Sequence, residues 1–142
     1  QTSFNLVKFY REVHNLNCVT GVLFNHESHL RNENFATQKI IKYANKIKRD
    51  KSIKLKLGNL EVVRDWGWAP EYVEAIQIIT NSDKLKDYVV CSGKGYSLRE
   101  FVERVFAKHQ LNWEEFVVID KNLFRPNEIN ISCGDPCPLF ED

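Results

Sequence analysis

Four stretches of the chain place apolar residues at helical spacing, and each stretch predicts a helix. The first covers residues 2–14, with Asn15 as a candidate stop, and the second covers residues 36–47. In the third, Pro70 stands where a first helical position is expected. The fourth opens with the segment 97–100, Ser-Leu-Arg-Glu, a capping box whose two side chains satisfy backbone N–H groups at a helix start.

Short apolar or alternating runs between these helices predict five strands, at residues 18–24, 53–57, 60–63, 88–91 and 116–119. Residues 18–24 are β-branched with few charges, which is typical of a buried strand. Residues 53–57 alternate strictly, and with a turn at Gly58-Asn59 they predict a hairpin with residues 60–63. The order of elements predicts an α/β fold with a mostly parallel sheet and some antiparallel pairing.

Composition narrows the class of protein. The 142 residues, 43% of them hydrophobic and 27% charged, are ordinary for one globular domain. No apolar run is long enough for a membrane span, and the net charge of +1 does not favour a polyanion, so we expect no membrane or nucleic-acid partner. The chain lacks an initiator Met and begins its α/β order with a helix, so we expect it to be part of a longer chain.

The four cysteines favour buried or incidental thiols and a reducing, cytoplasmic compartment. The alternative is a disulfide or metal site at Cys133 and Cys137, but three residues separate them and no second half of such a motif exists. Gly93 and Gly95 stand between a strand and a helix, as in a dinucleotide-binding turn. Leu98 occupies the third glycine position, which favours a plain tight turn instead.

A basic run from Lys39 to Lys56 holds eight Lys and Arg residues, with Asp50 as its one acid. Much of the run lies on the outer face of one helix and one strand, which favours a solvated surface. The alternative is attraction of a phosphate, and Lys39 lies near a helix N-terminus, where a phosphate could be bound.

Polar residues cluster in three places that could bind a ligand. Residues 25–28, Asn-His-Glu-Ser, open a predicted loop directly after a strand, where ligands of α/β sheets bind; the alternative is a loop capped by its own side chains. Residues 64–68 lie in a predicted strand-to-helix turn, where Arg suits phosphate binding and Trp suits base stacking. The alternative is that Arg64 pairs with Asp65 over a Trp-capped core. Residues 125–128 present Arg and Glu, which suit a ribose diol or a surface salt bridge. No nucleophile–base pair is readable, so no catalytic residue is assigned.

Six segments, taken together and in order, resemble the GDP-mannose 4,6-dehydratase family of extended short-chain dehydrogenase/reductases. They are residues 23–28 (LFNHES), 34–40 (NFATQKI), 57–60 (LGNL), 64–75 (RDWGWAPEYVEA), 97–103 (SLREFVE) and 124–128 (FRPNE). The resemblance implies a Rossmann domain that holds NADP and a smaller domain that holds the GDP-sugar. It also implies oxidation of the sugar at C4, loss of water across C5 and C6, and return of the hydride at C6, giving GDP-4-dehydro-6-deoxy-D-mannose.

The resemblance also implies roles for particular residues. His26 and Arg31 match residues that contact NADP. The positions that match GDP-sugar contacts are Asn25, Ala36, Lys39, Arg64, Arg125 and Glu128. By the same resemblance, residues 1–24 are the last helix and strand of the Rossmann domain, and residues 25–142 are the substrate-binding region.

This sequence departs from the family pattern at both ends. The glycine-rich NADP fingerprint, the catalytic Thr and Glu and the Tyr-x-x-x-Lys pair are absent, and the catalytic Lys would fall immediately before Gln1. Residues 137–142 do not continue the final helices of the family, and Ala36 replaces a common Val. We therefore expect a portion of the enzyme whose N-terminal Rossmann half is absent and which is inactive on its own.

Two alternatives stay open at this point. One is a non-catalytic remnant or a module that only binds GDP, and the other is a related GDP-sugar epimerase or reductase. A strand left at a sheet edge also predicts a homo-oligomer or association through that edge.

Overall fold

A computed structural model describes residues 1–140, except for the side chain of Phe140. The helices are α1 (Thr2–His14), α2 (Ala36–Arg49), α3 (Ala69–Asn81), α4 (Leu98–Lys108), α5 (Trp113–Phe116) and α6 (Cys137–Phe140), with a 3₁₀ turn at Lys121–Leu123. The strands are β1 (Gly21–Leu23), β2 (Asn25–Glu27), β3 (Leu55–Leu57), β4 (Val63–Trp68), β5 (Tyr88–Val90), β6 (Gly95–Ser97), β7 (Val117–Ile119) and β8 (Ile131–Ser132).

The chain folds into two compact units. The first unit contains residues 1–26, residues 65–94 and the segment from Cys133 onward. The second unit contains residues 27–64 and 95–132. The division of domains between residues 24 and 25, which the family resemblance implies, stays a prediction.

The four main helices form where the apolar periodicity predicts them, and their ends follow local chemistry. Asn15 closes α1 in the left-handed conformation, with φ at 51°. Proline stands in the first turn of α3, where a missing N–H costs nothing. At the start of α4, the Ser97 side chain accepts from the Glu100 backbone while the Glu100 carboxylate accepts from Ser97, so the predicted capping box is confirmed.

The first unit is built on a parallel pair of strands. β1 pairs with β5, with Gly21 opposite Tyr88 and Leu23 opposite Val90. Tyr72 and Ile79 of α3 pack with Tyr88 and Val90 as its buried cluster. The prediction of a buried strand over residues 18–24 is wrong, because β1 is exposed along its length and belongs to a sheet of only two strands.

A carboxylate clamp ties α1 to this parallel pair. The guanidinium of Arg11 donates from Nη1 to Asp87 Oδ1 at 2.9 Å and from Nη2 to Asp87 Oδ2 at 2.8 Å. The backbone N–H of Thr20, just before β1, donates to the same Oδ1 at 2.6 Å. The hydrogen bonds from Arg11 and Thr20 hold the pKa of Asp87 below its ordinary value.

This clamp makes the stability of the first unit depend on pH. Because the Asp87 pKa is lower in the folded chain than in the unfolded chain, its contribution is fully present above the unfolded value, about 4. We expect it to be lost as the pH falls through the folded value. Urea unfolding at several pH values checks this, and Asp87→Asn should flatten the acid limb of the curve. An equally steep loss in that variant would contradict the assignment.

In the second unit, α2 packs against α4 and β3 through one apolar face. Ile40, Ala44 and Ile47 lie at helical spacing on that face and are fully buried. α2 contacts α4, whose Val102 and Phe106 are also fully buried, and it contacts β3. β3 alternates buried, exposed, buried, as its sequence predicts.

The predicted hairpin at residues 53–63 is wrong. β3 pairs in parallel with β7, with Leu55 opposite Val117, so its partner lies some sixty residues away along the chain. Residues 60–62 face the start of α4 instead. The backbone N–H of Leu98 donates to the Val62 carbonyl at 3.0 Å, and Arg99 donates to the Leu60 carbonyl at 2.9 Å.

Two further segments differ from the sequence prediction. Residues 25–27 form β2 at the start of the predicted loop, and residues 64–68 lie within β4 rather than in a strand-to-helix turn. Across residues 1–140, no helix has the length and apolar character that crossing a bilayer requires.

Candidate functional site

The second unit joins two clusters that are 64 residues apart in the sequence. β4 pairs in parallel with β8, with Arg64 opposite Ser132, and the Val63 N–H donates to the Asn130 carbonyl at 2.7 Å. This pairing brings Glu128 beside Arg64, whose Nη2 donates to Glu128 Oε1 at 3.0 Å. The two side chains are only 16% and 18% exposed, so the ion pair is largely shielded from water.

The Arg64 guanidinium is fixed by further acceptors. Its Nη1 donates to the carbonyl of Ile129 at 2.7 Å and to the carbonyl of Val63 at 2.8 Å. Glu128 uses Oε1 for this pair, which leaves Oε2 able to accept a ligand hydroxyl. The arrangement suits a ligand that carries both phosphate and sugar hydroxyl groups.

The pairing identifies the ion-pair partner of Arg64. Arg64 forms its ion pair with Glu128, so the alternative of an Arg64–Asp65 pair is wrong. Glu128 forms a salt bridge with Arg64 on β4, not within residues 125–128, and the pair is shielded rather than at the surface. Arg125 is exposed three residues before Glu128 and takes no part in this pair.

Lys39 and Ala36 share the first turn of α2. Ala36 is exposed, and the Lys39 ammonium donates to the Lys56 carbonyl at 2.8 Å. A polar cavity of about 310 Å³ lies against this helix; it is lined by Glu33, Asn34, Lys39, Lys42, Tyr43 and Lys46. Within it, Lys42 pairs with Glu33 at 2.7 Å, and this hydrogen bond lowers the pKa of Glu33. Much of the basic run therefore serves as a solvated face, as its pattern favours.

Arg31 is held by the loop that precedes α2. Its Nε lies 3.5 Å from Oε2 of Glu27, and its guanidinium carbon lies 3.8 Å from the centre of the Phe35 ring. Gln38 closes the same loop by donating from Nε2 to the Ser28 carbonyl at 2.8 Å. The contacts of Glu27 and Phe35 cannot be read from sequence spacing, because they depend on how this loop folds back.

His26 lies in the first unit with a defined ring orientation. Its Nδ1 is 2.9 Å from the Phe24 carbonyl oxygen. Because a carbonyl only accepts, Nδ1 carries a proton, and the tautomer with its proton on Nδ1 presents Nε2 as an acceptor. The ring centre lies 5.0 Å from that of Tyr72 at an interplanar angle of 32°, while the neighbouring Asn25 is exposed.

The turn at Gly93 is not a phosphate cradle. Gly93 has φ of +75° and donates its N–H to Asp65 Oδ2 at 2.9 Å. Asp65 Oδ1 accepts from the Ser92 N–H at 2.9 Å and the Ser92 hydroxyl at 2.6 Å. Since a buried carboxylate already occupies these donors, the plain-turn interpretation is the correct one.

The four cysteines are free thiols. Burial and the nearby Asp65 carboxylate raise the pKa of Cys91, and the same two causes raise the pKa of Cys133. Both groups therefore stay protonated and are weak nucleophiles near neutral pH. In the part of the chain that the structure describes, no group of three or more His, Cys, Asp or Glu side chains could hold a metal ion.

A second cavity, of about 500 Å³, lies in the first unit between α3 and β5. Its lining includes Ala75, Ile78, Val90 and Leu139, with Tyr72 beside them. Burial raises the pKa of Tyr72 to about 12. None of the predicted site residues lines this cavity, and its mostly apolar wall does not suit a charged nucleotide.

One protein family matches almost the whole chain. A family model described as GDP-mannose 4,6 dehydratase matches residues 1–141. The chain belongs to the GDP-mannose 4,6-dehydratase family. GDP-mannose 4,6 dehydratase 2 of Arabidopsis thaliana is 44% identical over 126 residues, covering 89% of this chain and 34% of that protein. The human GDP-mannose 4,6 dehydratase is 37% identical over 147 residues, covering 92% of this chain and 40% of that protein. The chain thus spans between a third and two fifths of these relatives.

Solved structures show the fold of this dehydratase-family chain. The structure of RMD from Pseudomonas aeruginosa complexed with NADPH has a TM-score of 0.83 at 18% identity, covering 98% of this chain and 45% of that one. A dTDP-glucose 4,6-dehydratase from Bacillus anthracis in complex with NAD has a TM-score of 0.80 at 14% identity, covering 96% and 42%. The predicted α/β fold, as part of an extended short-chain dehydrogenase/reductase, is confirmed.

The residue roles that the GDP-mannose 4,6-dehydratase resemblance implies stay predictions. In the second unit, the structure brings Arg64 and Glu128 together and places Ala36 and Lys39 on one helical turn. Arg31 forms an ion pair with Glu27, a residue to which the sequence analysis assigns no role of its own.

Proposed function

We propose that the chain is the substrate-side portion of an NADP-dependent GDP-mannose 4,6-dehydratase. This lyase converts GDP-D-mannose into GDP-4-dehydro-6-deoxy-D-mannose. The observation that carries the proposal is the shielded Arg64–Glu128 pair on neighbouring strands. The pair offers a fixed cation for a phosphate and, next to it, a carboxylate oxygen for a ribose hydroxyl.

The remaining substrate contacts follow from the family positions. Arg125, exposed near Glu128, adds a second cation for the diphosphate. Lys39 and Ala36 contact the guanine at the first turn of α2, and Asn25 contacts the GDP-sugar. Each of these four side chains except Ala36 carries a group that can donate or accept a hydrogen bond.

The cofactor contacts proposed for this chain fit NADP in their chemistry. Arg31 holds its Nε toward Glu27 and keeps both Nη groups for a phosphate. His26 presents Nε2 as an acceptor because Nδ1 is bound to the Phe24 carbonyl. When bound, NADP supplies the chemistry of taking the hydride from C4 and returning it at C6.

A turnover assay and a binding measurement each test a different part of this proposal. We expect residues 1–142 alone to convert no GDP-mannose with NADP present, because their sequence holds no Tyr-x-x-x-Lys pair. We expect calorimetry to detect GDP binding to the same sample. Turnover by the chain alone would contradict the first expectation, and no heat at millimolar GDP would contradict any nucleotide-binding role.

A second candidate function is a module that binds GDP without catalysis, or a remnant of the enzyme. It needs only the shielded Arg64–Glu128 pair, whose geometry suits a nucleotide without any catalytic residue. The DNA upstream of Gln1 distinguishes the two. An in-frame Rossmann segment supports the enzyme, and a stop codon supports the module. A GDP-sugar epimerase or reductase is the third alternative, and identifying the product of the in-frame enzyme tests it.

We also propose that the chain associates with itself and works in the cytoplasm. α1 has no buried residue, and its Phe9 and Val13 are exposed together with Val22 and Leu23 of β1. Such an apolar surface drives association in water. Light scattering should therefore report a dimer or a larger species, and a monodisperse monomer would contradict this.

Cytoplasmic location suits the four free thiols, and secretion of a tagged chain would count against it.

A further inference from the structure

The carboxylate of Glu27, in the second unit, contacts both Arg31 and the first turn of α2. Oε2 of Glu27 accepts a hydrogen bond from the Thr37 hydroxyl at 2.8 Å and lies 3.5 Å from Nε of Arg31. Thr37 is 4% exposed in the first turn of α2, so it is a rigid anchor. The Glu27 and Arg31 side chains are 19% and 31% exposed, which partly shields their ion pair from water.

We propose that Glu27 is the positioning residue of Arg31. It fixes the Nε side of the guanidinium so that Nη1 and Nη2 are presented to a phosphate group of a nucleotide cofactor. The inference rests on the proposed function, which makes Arg31 a cofactor contact. Glu27 itself touches no ligand and acts only through Arg31.

The Phe35 ring supplies the second constraint. The guanidinium carbon of Arg31 lies 3.8 Å from the ring centre, within the range of a cation–π contact. An arginine held at its ring face and at Nε has already lost most of its rotamer freedom. Binding of a phosphate then costs less ordering entropy than it would with a free arginine.

The charges of the cluster agree with this role. Glu27 compensates the Arg31 charge at Nε, where the nitrogen is buried and outside normal hydrogen-bond geometry. In residues 1–140, neither Nη group of Arg31 has a hydrogen-bond partner. A phosphate provides the bidentate partner that this fork matches.

The test uses the ¹⁵N-labelled chain and two readouts. The first is the exchange of the Arg31 Nε proton with water, measured by NMR without any ligand. The second is the affinity for NADP, measured by titration. In Glu27→Gln, which keeps an oxygen to accept from Thr37 but removes the charge, we expect Nε–H exchange to become about tenfold faster. We also expect NADP affinity to fall about tenfold, because an Arg31 that is no longer positioned loses about one charge-assisted contact to the phosphate.

Two controls separate positioning from general stability. Glu33 lies in the same loop as Arg31, and its exposed carboxylate pairs with Lys42 of α2. Glu33→Gln removes this carboxylate charge, and both readouts should be unchanged. Thr37→Val removes the anchor of Glu27 and should accelerate Nε–H exchange in the same direction as Glu27→Gln. Urea unfolding of each variant shows that the signal is not a loss of fold.

Each outcome decides one part of the proposal. Unchanged Nε–H exchange in Glu27→Gln overturns the positioning role, whether or not NADP binds. Faster exchange with equal NADP affinity in wild type and variant overturns the role in ligand binding. Faster exchange, with no NADP binding even in the wild type, supports the positioning of Arg31 and contradicts the proposed function.

Discussion

Replacing Asp65 with Ala is expected to lower the free energy of unfolding by about 3 kcal/mol or more. The Asp65 side chain is 1% exposed and accepts hydrogen bonds from the Ser92 N–H, the Ser92 hydroxyl and the Gly93 N–H. Its removal takes this acceptor from the Ser92 and Gly93 N–H groups, and the loss of a hydrogen bond to a charged group costs about 1.5–3 kcal/mol.

The same carboxylate reaches a third segment of the first unit. The Gly134 N–H lies 3.4 Å from Asp65 Oδ2, and the Cys133 thiol lies 3.8 Å from it. Asp65 thus joins β4, the turn after β5 and the C-terminal segment. Its loss should loosen all three together rather than one turn alone.

Urea unfolding followed by circular dichroism measures this effect. Asp65→Asn keeps the shape of the side chain but turns one acceptor into a donor, so it should also destabilise the chain. The matched control is Asp83→Asn, at an exposed position, which should change the free energy of unfolding by less than about 0.5 kcal/mol. Similar values for Asp65→Ala and for the control would show that the Asp65 hydrogen bonds contribute little.

Arg64→Ala is expected to weaken GDP binding by about 10- to 150-fold. Hydrogen bonds to a charged group contribute about 1.5–3 kcal/mol, and 1.4 kcal/mol corresponds to a factor of ten in affinity. The alanine also leaves Glu128 as an unpaired, largely buried carboxylate, which repels a diphosphate. Arg64→Lys should lose less affinity, because it keeps the charge but not the planar fork.

Calorimetry with GDP measures the affinities of these variants. Arg99→Ala is the matched control, because Arg99 pairs with Glu61 at the exposed surface of the same unit. That variant should bind GDP with wild-type affinity. Equal GDP affinity in Arg64→Ala and Arg99→Ala would remove Arg64 from the binding site. Circular dichroism of each variant confirms that the loss of binding is not a loss of fold.

The parts of the fold that depend on neighbouring residues follow from the sequence. The capping box at Ser97, the stop at Asn15 and the apolar face of α2 all arise within one or two helical turns. The hairpin prediction fails because β3 meets β7, a partner about sixty residues away. No local pattern distinguishes that parallel pairing from a hairpin, since both satisfy the alternation of residues 53–57.

The candidate site shows the same division. The sequence marks residues 64–68 and 125–128 as two separate ligand-binding candidates, each with a salt bridge as its alternative. The structure joins them, because the β4–β8 register places Glu128 beside Arg64. Glu27 acquires its role only through the fold of the loop before α2, which brings Arg31 and Thr37 to one carboxylate oxygen.

The central claim is that the second unit binds GDP through named residues, and an NMR titration tests it most directly. Adding GDP to the ¹⁵N-labelled chain should shift backbone or side-chain signals of Ala36, Lys39, Arg64, Arg125 and Glu128 in a saturable way. Signals of α1, in the first unit, should stay in place. The absence of any shift at millimolar GDP, or saturable shifts that leave Arg64 and Glu128 unchanged, would contradict the account.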